Sequence, residues 1–521
     1  MSAISIAWEN FLEVLAQLIS KALTDKEKEV VLAGFTKFGE RIRQLSSQSL
    51  RRLALEPLNG DESKEKLCHH DGKTCAQNAT RGFLKSFTVA YIVKYLISIA
   101  PALLTGRLFK KPYYLKKAGG KDTVSFAIFL SSFITTYKAS LCAIRHLRNV
   151  KGGDGLNAFI AGSLAGLTLL LERNKGRRLA IMLYLVTRSA QFGCAWLMQQ
   201  WASYRKKKRE QKEGAPPKTW IQYIREEWDE ILSQKLEQWS GALVFIAANS
   251  QIIYSFVFKP ETLPRSYYSF LLNHSGFRDF GAMGPHLINA VSTYVDQFGH
   301  LPDAIKFPEG VTPREYIAAN FSPNIATAIP KGATHEFIPC AMHHPLSSTC
   351  TGSMVRSMKH EFRRSLRLYL PLNLLMTLIF RWKQITKRPD YVFERFMKST
   401  LRSSIFLTAY VTLGFSAPCA FRHLTHRDYK FVYLLAGMVG GSSVLLEAPG
   451  RRLELGLYCL PRALESLWKS VVEAGWARNV KNGDVALFSI AMGVLMSLYQ
   501  NNPSVINTHY LAVLTRFFGK N

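Results

Sequence analysis

Apolar residues along this chain fall in long blocks separated by polar segments. Six blocks carry no charged residue and approach the length of a membrane span: 123–137, 155–171, 241–258, 403–421, 431–446 and 485–503. Weaker blocks with a few charges lie at 83–104, 178–201, 366–381 and 453–468. The 17 residues of 155–171 would cover about 26 Å as a helix, slightly less than the hydrocarbon core of about 30 Å. Buried helices of a soluble protein can look alike, but this many blocks with basic flanks predict an all-α polytopic membrane protein.

The first residues predict a different kind of helix. Their apolar side chains share one face at helical spacing: Trp8, Phe11, Leu12, Leu15, Leu18, Ile19 and Ala22. Such a helix can lie on a membrane surface or pack against the protein, and the sequence favours neither. Glu9 and Glu13 interrupt the stretch, so we expect no cleaved signal peptide. Residues 1–67 are therefore predicted to form an amphipathic helix and a linker.

The chain also contains an internal repeat. Residues 128–147 align without a gap on 405–424 with nine identities in twenty, where chance would give about one or two. The identical pairs include Cys142 with Cys419 and Arg145 with Arg422. The alignment continues through these pairs: Gly162/Gly437, Gly166/Gly441, Glu172/Glu447, Arg177/Arg451 and Arg188/Arg462. We predict two pseudo-symmetric five-helix repeats, hence about ten helices.

The repeats set the predicted domain boundaries. Residues 68–275 form the first repeat, with a basic extramembrane insert at 205–238, and 340–521 form the second. Residues 276–339 are unrepeated and are predicted to be a connector outside the bilayer. Five spans per repeat is an odd number, so the second copy would enter the membrane from the opposite side, as an inverted repeat. The charges in 453–468 weaken this inference, because that helix could instead lie on the surface.

Composition, charge and short motifs add to this picture. The net charge of +30 is spread over loops on both sides of the predicted spans, so it does not set their orientation. The run Arg205–Arg209 next to a predicted span favours anionic lipid headgroups over nucleic acid as its partner. Eight cysteines are too few for a disulfide-built scaffold. No Walker A loop, GxGxxG, HExxH or GxSxG pattern occurs, so we expect neither an enzyme nor a cofactor.

Small and charged residues mark candidate positions within the predicted spans. Gly162 and Gly166, like Gly437 and Gly441, put small residues one turn apart, which favours close helix packing in lipid. Ionisable groups at membrane depth are costly unless paired or hydrated. The four in question are Glu172, Arg188, Glu447 and Arg462. They could form Glu to Arg pairs that fix the hairpin between the third and fourth helices, or line a polar groove between the repeats.

Cysteine and histidine residues cluster before each repeat. The first cluster has Cys68, His69, His70 and Cys75, and the second has Cys340, His343, His344 and Cys350. These are the ligand types of a zinc site, although adjacent histidines seldom both reach one metal. A metal site, a disulfide in each cluster and unlinked thiols all stay open from the sequence.

Three stretches carry a resemblance to a known family. His344 and Pro345 between Cys340 and Cys350, the stretch AIFLSSFITTYKASLCAIRHLRN and the helix AGSLAGLTLLLE resemble the transmembrane protein 135 family. That family is similar in turn to the channel subunits of inner-membrane protein translocases. Asp154, Ala161, Gly162 and Gly166 fit the end of the translocase pattern, but its upstream part does not fit, so a protein-conducting role is not carried over.

The resemblance implies a multi-pass protein of peroxisomes, mitochondria or both, associated with lipid or sterol handling and with organelle dynamics. A groove between inverted repeats is one way to move or shield an amphiphile. The alternative is a scaffold whose basic insert and connector recruit protein partners that remodel the organelle. Membrane lipids with anionic headgroups are the expected partners in either case.

Overall fold

The fold is helical wherever the computed structural model describes the chain. The described residues are 68, 70, 74–104, 113–149, 154–210, 220–301 and 304–519, and the predicted N-terminal amphipathic helix lies outside them. Within these residues the regular elements are helices, apart from one isolated antiparallel bridge between Lys306 and Phe337. The expectation of an all-α protein is confirmed for this part of the chain.

Helices of the first half are α1 Cys75–Leu104, α2 Tyr113–Ala118, α3 Lys121–Arg148, α4 Gly155–Gly166, α5 Lys175–Glu210, α6 Trp220–Phe258 and α7 Arg265–His274. Short helices follow in the connector: α8 Met283–Phe298, α9 Pro313–Asn320 and α10 Pro323–Ala326. The remaining helices are α11 Ile338–His343, α12 Cys350–Ile385, α13 Pro389–Thr425, α14 Lys430–Ser442, α15 Pro449–Glu473, α16 Gly483–Asn501 and α17 Thr508–Phe518. Both α4 and α14 continue as a turn of 3₁₀ helix, over Leu167–Leu171 and Ser443–Leu446.

Local signals explain where several of these helices begin and end. The Asp154 side chain accepts a hydrogen bond from the Leu156 N–H and so caps α4, and Thr349 caps α12 in the same way. Asn149 and His426 terminate α3 and α13 in the left-handed conformation, with φ of 50° and 53°. Each donates its N–H back into the last turn, which satisfies a carbonyl that would otherwise lack a partner.

Membrane-spanning capacity is concentrated in five stretches of the described residues. By length and composition these are Cys75–Ile99, Tyr113–Arg148, Gln238–Phe258, Pro389–Thr425 and Gly483–Asn501. Two shorter apolar segments, Gly155–Leu171 and Lys430–Leu446, coincide with α4 and α14 and their 3₁₀ extensions. Several helices are thus apolar enough for a multi-pass membrane protein. The finer expectation of about ten spans in two five-helix repeats stays a prediction.

Contacts divide the chain into two compact units. Among the described residues, the central unit comprises those from Ile221 to Ala477, and the terminal unit those up to Trp220 together with those from Arg478 onward. The central unit therefore contains α12–α15 and nearly all of α6, while the terminal unit contains α1–α5, α16 and α17. In each unit, the last helix of one predicted repeat packs with the first four helices of the other repeat.

A hydrophobic core fills each unit. The terminal core includes Phe129, Phe133 and Tyr137 of α3 with Phe488 of α16 and Phe518 of α17, all at most 5% exposed. In the central core, Phe245 of α6 packs edge-on against Phe406 and Tyr410 of α13. Aromatic pairs of this geometry add about 0.5 to 1.5 kcal/mol beyond the area they bury.

The connector is a folded part of the central unit. Leu287, Ile288, Val291, Tyr294 and Val295 recur at three- and four-residue spacing in α8 and are buried in the central core. The Ile338 N–H donates to the Ile305 carbonyl at 2.7 Å, which fixes the first residue of α11. The segment that leads into the second Cys/His cluster is therefore held by packing.

Candidate metal centres

Three cysteines and one histidine converge in the central unit. They are Cys340, His344, Cys350 and Cys419, whose ligand atoms all lie within 4.8 Å of one another. The Cys340 sulfur is 3.8 Å from that of Cys350 and 4.0 Å from that of Cys419. His344 Nε2 is 3.4 Å from the Cys350 sulfur. This second cluster offers one nitrogen and three sulfur ligands to a single point.

Three helices position these side chains. Cys340 lies in α11, Cys350 is the first residue of α12, and Cys419 lies six residues before the end of α13. His344 follows α11, and its Nδ1 donates to the Ser347 carbonyl at 2.9 Å. Because Nδ1 carries the proton in that hydrogen bond, the lone pair of a neutral imidazole lies on Nε2, which faces the sulfurs.

A matching set lies in the terminal unit. Cys68, His70, Cys75 and Cys142 also bring their ligand atoms within 4.8 Å of one another. Cys75 is the first residue of α1, and Cys142 lies six residues before the end of α3, as Cys419 does in α13. His70 Nε2 is 3.2 Å from the Cys142 sulfur. This first cluster has the same ligand types at corresponding places in its helices.

The hydrogen bond on the far side of His70 runs in the opposite direction. Lys138 donates to the Asn78 amide oxygen at 3.4 Å, so the Asn78 side-chain N–H donates to His70 Nδ1 at 3.0 Å. Nε2 points at the thiols in both clusters, but a neutral His70 carries its proton on Nε2. The outer hydrogen bond therefore fixes the metal-binding tautomer of His344 and not that of His70.

The adjacent histidines have separate roles. His343 packs against the rings of Phe277 and Phe415 and does not contribute a ligand atom to the cluster. Burial, followed by the charge of Arg422, lowers the pKa of His343 to about 3 and keeps it neutral. His69 lies outside the described residues. His70 and His344 are the histidines grouped with the sulfurs, and in the first cluster His146 Nε2 also lies 4.0 Å from the Cys75 sulfur.

A buried ion pair supports the second cluster. Arg422 Nη1 donates to the Cys340 sulfur at 3.3 Å, while its Nε donates to Asp428 at 2.6 Å and Nη2 donates to the Tyr433 hydroxyl at 2.8 Å. Arg422 and Asp428 are both fully buried. Arg145, which aligns with Arg422, is also buried in α3. A guanidinium at this position favours the thiolate form of a neighbouring cysteine.

Without a bound metal, the electrostatics of the second cluster favour a Cys340 thiolate beside a protonated His344, whose Nε2 proton a metal ion would displace. Hydrogen bonds from the Cys350 and Cys419 thiols, together with the charge of Arg422, lower the pKa of Cys340 well below its usual range. Burial opposes protonation of His344, but hydrogen bonds to Cys340 and Cys350 outweigh it and raise the His344 pKa to about 10. None of the eight cysteines is joined to another by a disulfide bond. The predicted disulfide alternative, Cys68 with Cys75 and Cys340 with Cys350, is thus not formed in this structure.

The second cluster lies entirely within a region that matches a known family. Residues 338–472, about a quarter of the chain, match the family model described as the N-terminal cysteine-rich region of Transmembrane protein 135. Residues 338–472 are thus similar to the cysteine-rich region of the transmembrane protein 135 family. The predicted family resemblance is confirmed on this match. No solved structure matches the chain.

The matched region contains a candidate ligand, Cys419, that the sequence pattern does not place in the cluster. Cys419 lies 69 residues after Cys350, so spacing alone gave no reason to group them. The signal was nevertheless present, since Cys142 and Cys419 are an identical pair in the internal alignment. A cysteine retained in both repeats, where most residues differ, could have been assigned to both clusters.

Glu172 pairs with Arg177 and not with Arg188. Arg177 donates to the Glu172 carboxylate from Nε at 2.8 Å and from Nη2 at 2.7 Å, and also binds Asp122 of α3 at 2.9 and 2.7 Å. The Glu172 side chain is fully buried. Arg177 lies in the first turn of α5, so the pair closes the hairpin between α4 and α5.

Glu447 has an equivalent environment in the central unit. Its carboxylate accepts hydrogen bonds from the Ser403 hydroxyl at 2.8 Å and from the Ala448 N–H at 3.1 Å. Arg451, which aligns with Arg177, stands 3.6 Å away and also donates to Ser403 at 3.1 Å. Both carboxylates thus pair with an arginine four or five residues later in the chain.

The other two candidate arginines differ from each other. Arg188 is buried, lies over the ring of Tyr510 at 4.8 Å and donates to Gln191 at 3.0 Å. Arg462 is partly exposed and stands 3.7 Å from Glu465, one turn away in α15. Glu172 and Arg188 belong to the terminal unit and Glu447 and Arg462 to the central unit. The structure brings neither Arg188 nor Arg462 to the carboxylate predicted as its partner.

All four candidate glycines lie against the backbone of another helix. A Cβ atom at Gly162 would be 2.6 Å from the Met492 carbonyl oxygen in α16. Gly437 lies against the Asn249 carbonyl, and a Cβ atom at Gly441 would be 3.0 Å from the Ile246 α-carbon, both in α6. A side chain at these positions would push the helices apart.

A cavity of about 130 Å³ adjoins the second cluster. Arg356, His360 and Arg364 of α12 line one side of it. Phe277 and Phe415 line it as well, so basic and aromatic side chains share the wall. Arg364 also forms ion pairs with Asp279 and Glu361. The volume holds several water molecules and therefore a phosphate-sized group, but not a whole lipid.

Proposed function

We propose that this protein acts without enzymatic chemistry in lipid or sterol handling and organelle dynamics, as an integral protein of peroxisomal or mitochondrial membranes. The observation that carries the proposal is the basic cavity of α12 beside apolar spans. A lipid with an anionic headgroup fits such a surface, because its phosphate suits the basic cavity and its acyl chains suit the apolar spans. The family match supports a membrane protein of the transmembrane protein 135 type.

Apolar side chains project outward on helices close to this cavity. In α12, Leu370, Leu372, Leu374, Leu375 and Met376 are each 44 to 50% exposed. Nearly consecutive residues point in different directions around a helix, so that segment presents apolar side chains on several faces. An exposed surface of this kind suits acyl chains better than water. The cavity side chains Arg356, His360 and Arg364 lie earlier in the same helix.

The arginines of the cavity suit the anionic headgroup of a lipid. Arg356 is exposed and reaches the cavity, and Arg364 adds a second guanidinium from one side of the same helix. Guanidinium groups bind phosphate through paired hydrogen bonds, which makes them suited to a phospholipid headgroup. We propose that the headgroup phosphate occupies the cavity while the acyl chains extend along the apolar part of α12.

Arg356→Gln tests this proposal. Because one charge-assisted hydrogen bond contributes about 1.5 to 3 kcal/mol, the variant should bind phosphatidylserine at least about tenfold more weakly. Native mass spectrometry of the detergent-solubilised protein, titrated with phosphatidylserine, would measure the affinity. Arg363→Gln is the matched control, since Arg363 is exposed on the same helix and does not line the cavity. Equal affinities of Arg356→Gln and wild type would refute the role of the cavity.

The polar groove predicted from Glu172, Arg188, Glu447 and Arg462 would not use the two carboxylates. Glu172 and Glu447 each have an arginine within their own unit, which supports a structural role for both carboxylates. The transport of an amphiphile would then depend on residues other than these pairs. Neutralising Arg462, the most exposed of the four charges, should impair transport only if a groove of the predicted kind exists.

Scaffolding is the second candidate function. One observation favours it: the connector is folded into the central unit and exposes Phe298, Leu301 and Val311 at its surface. Deleting the connector would remove core residues, so surface substitutions are the better test. Replacing these three residues with Ser should abolish recruitment of remodelling partners to peroxisomes or mitochondria and spare phosphatidylserine binding. The opposite pattern would contradict the scaffold.

A further inference from the structure

The two Cys/His clusters share a geometry that a bound ion would explain. Each has three sulfurs and one imidazole nitrogen within 4.8 Å of one another, and each takes its ligands from the same places in two helices. Two independent regions of the chain thus preserve one ligand set, Cys₃His. Four ligands of these types are typical of structural zinc sites.

We infer that each cluster binds one Zn²⁺ ion in a closed, structural Cys₃His site. In the terminal unit the ion joins the beginning of α1 to the end of α3, and in the central unit it joins the beginning of α12 to the end of α13. Four protein ligands complete the tetrahedron and leave no position for a reacting water.

Distances in the second cluster fit this inference. Bond lengths of about 2.3 Å for Zn–S and about 2.0 Å for Zn–N place two sulfurs of a tetrahedron about 3.8 Å apart, and a sulfur and a nitrogen about 3.5 Å apart. The separations are 3.8 and 4.0 Å between sulfurs and 3.4 Å between Cys350 and His344 Nε2. A disulfide would require about 2.05 Å between two sulfurs.

Histidine orientation is a second, independent observation. His70 Nε2 lies 3.2 Å from the Cys142 sulfur and His344 Nε2 lies 3.4 Å from the Cys350 sulfur, so both rings turn Nε2 towards the sulfurs. In His344 the Ser347 carbonyl also accepts the Nδ1 proton, which leaves the Nε2 lone pair of a neutral ring free for zinc. A pair of unlinked thiols beside a histidine would not require the same ring orientation in two separate units.

The charges around the second cluster also suit a zinc centre. Three thiolates, one neutral imidazole and Zn²⁺ together carry one negative charge, because each thiol releases its proton on binding. The Arg422 guanidinium donates to the Cys340 sulfur at 3.3 Å and so supplies a positive charge beside this centre. Asp428 and Tyr433 hold the guanidinium in place.

Metal content of the purified full-length protein tests the inference. Protein prepared in detergent without chelators should contain two zinc ions per chain by inductively coupled plasma mass spectrometry. Cys142→Ser and Cys419→Ser should each lose one ion. Cys194→Ser in the terminal unit and Cys459→Ser in the central unit are matched controls that should keep both, because neither residue belongs to a cluster.

A second measurement covers the case in which a ligand variant does not fold. Wild-type protein with its zinc replaced by Co²⁺ should show thiolate-to-cobalt charge-transfer bands and the visible bands of a tetrahedral ion. Wild-type protein that contains no zinc and shows none of these cobalt bands would overturn the inference. Zinc retained in both Cys142→Ser and Cys419→Ser would overturn it as well.

Discussion

Ser489 of α16 lies directly against Gly166 of α4: a Cβ atom at position 166 would be 2.5 Å from the Ser489 α-carbon. Since the obstacle is backbone, it cannot move aside as a flexible side chain would. The helix pair can approach this closely only because position 166 carries hydrogen. Small residues have the same effect wherever helices associate in lipid, where close packing replaces the hydrophobic drive.

Gly166→Ala should therefore destabilise the protein. Overpacking a tight contact costs typically about 1 to 3 kcal/mol, so the thermal unfolding midpoint in detergent should fall by several degrees. Gly450→Ala is the control, because a Cβ atom at Gly450 in the first turn of α15 meets nothing within 4 Å. A helical alanine there should leave stability unchanged or raise it slightly. Equal midpoints for Gly166→Ala and wild type would mean that α4 and α16 do not approach this closely.

Arg177→Leu should be more damaging than any other single charge removal in its hairpin. The variant would leave the fully buried Glu172 carboxylate without its guanidinium, and breaking a buried pair in this way costs about 3 to 5 kcal/mol. Arg173→Leu, at an exposed position in the same loop, should change stability by no more than about 0.5 kcal/mol. Denaturant unfolding of the detergent-solubilised protein would compare them.

The double variant Glu172→Gln/Arg177→Leu separates the pair from its surroundings. Removing the carboxylate charge should recover part of the loss, so the double variant should lose less stability than the sum of the two single variants. Additive losses would show that Arg177 acts mainly through Asp122, which it also binds.

For Glu172, the sequence predicts the kind of partner but not which arginine it is. The sequence located the carboxylate at the end of an apolar helix and predicted a hairpin pair. It named Arg188 as the partner, because that residue lies within the next apolar block. Only residues 172–174 separate the 3₁₀ extension of α4 from α5, so the first turn of α5, with Arg177, lies nearest to Glu172. A local turn of this kind has no signature in the hydrophobic pattern.

The last helix of each repeat illustrates a second limit. The identities between the two repeats show which helices correspond to each other. Because corresponding helices have similar surfaces, the sequence does not show which of the two a given helix packs against. The sequence could therefore predict that Gly437 and Gly441 pack against a helix, without predicting that α6 of the first half supplies it. The same reasoning applies to Cys419, whose alignment with Cys142 was visible while its distance from Cys350 in space was not.

Arg188 and Arg462 occupy aligned positions and should respond differently to substitution. Arg188→Gln removes a buried guanidinium from the rings of Tyr184 and Tyr510, a loss of about 2 kcal/mol for a desolvated cation–π contact. Arg462→Gln removes a partly exposed pair with Glu465, which contributes less than about 1 kcal/mol. Unfolding midpoints of the two variants would be compared. A larger loss for Arg462→Gln would indicate a buried environment for Arg462 in the membrane.

Orientation of the repeats can be tested at a matched pair of positions. Ala76 and Thr351 each follow the first cysteine of a helix, Cys75 of α1 and Cys350 of α12, and both are exposed. If the repeats are inverted, these positions lie on opposite sides of the membrane. Ala76→Cys and Thr351→Cys would each be made with the exposed Cys194 replaced by Ser, so that one added thiol dominates labelling.

A maleimide that does not cross membranes, applied to sealed organelles, should then label only one of the two variants. After permeabilisation both should react, which controls for access to the thiol. Bound zinc would help this experiment, because cysteines that ligate a metal react slowly and leave the added thiol as the main target. Labelling of both variants before permeabilisation would place the beginnings of α1 and α12 on the same side. The two halves would then be parallel copies, and a transport route that depends on inversion would be excluded.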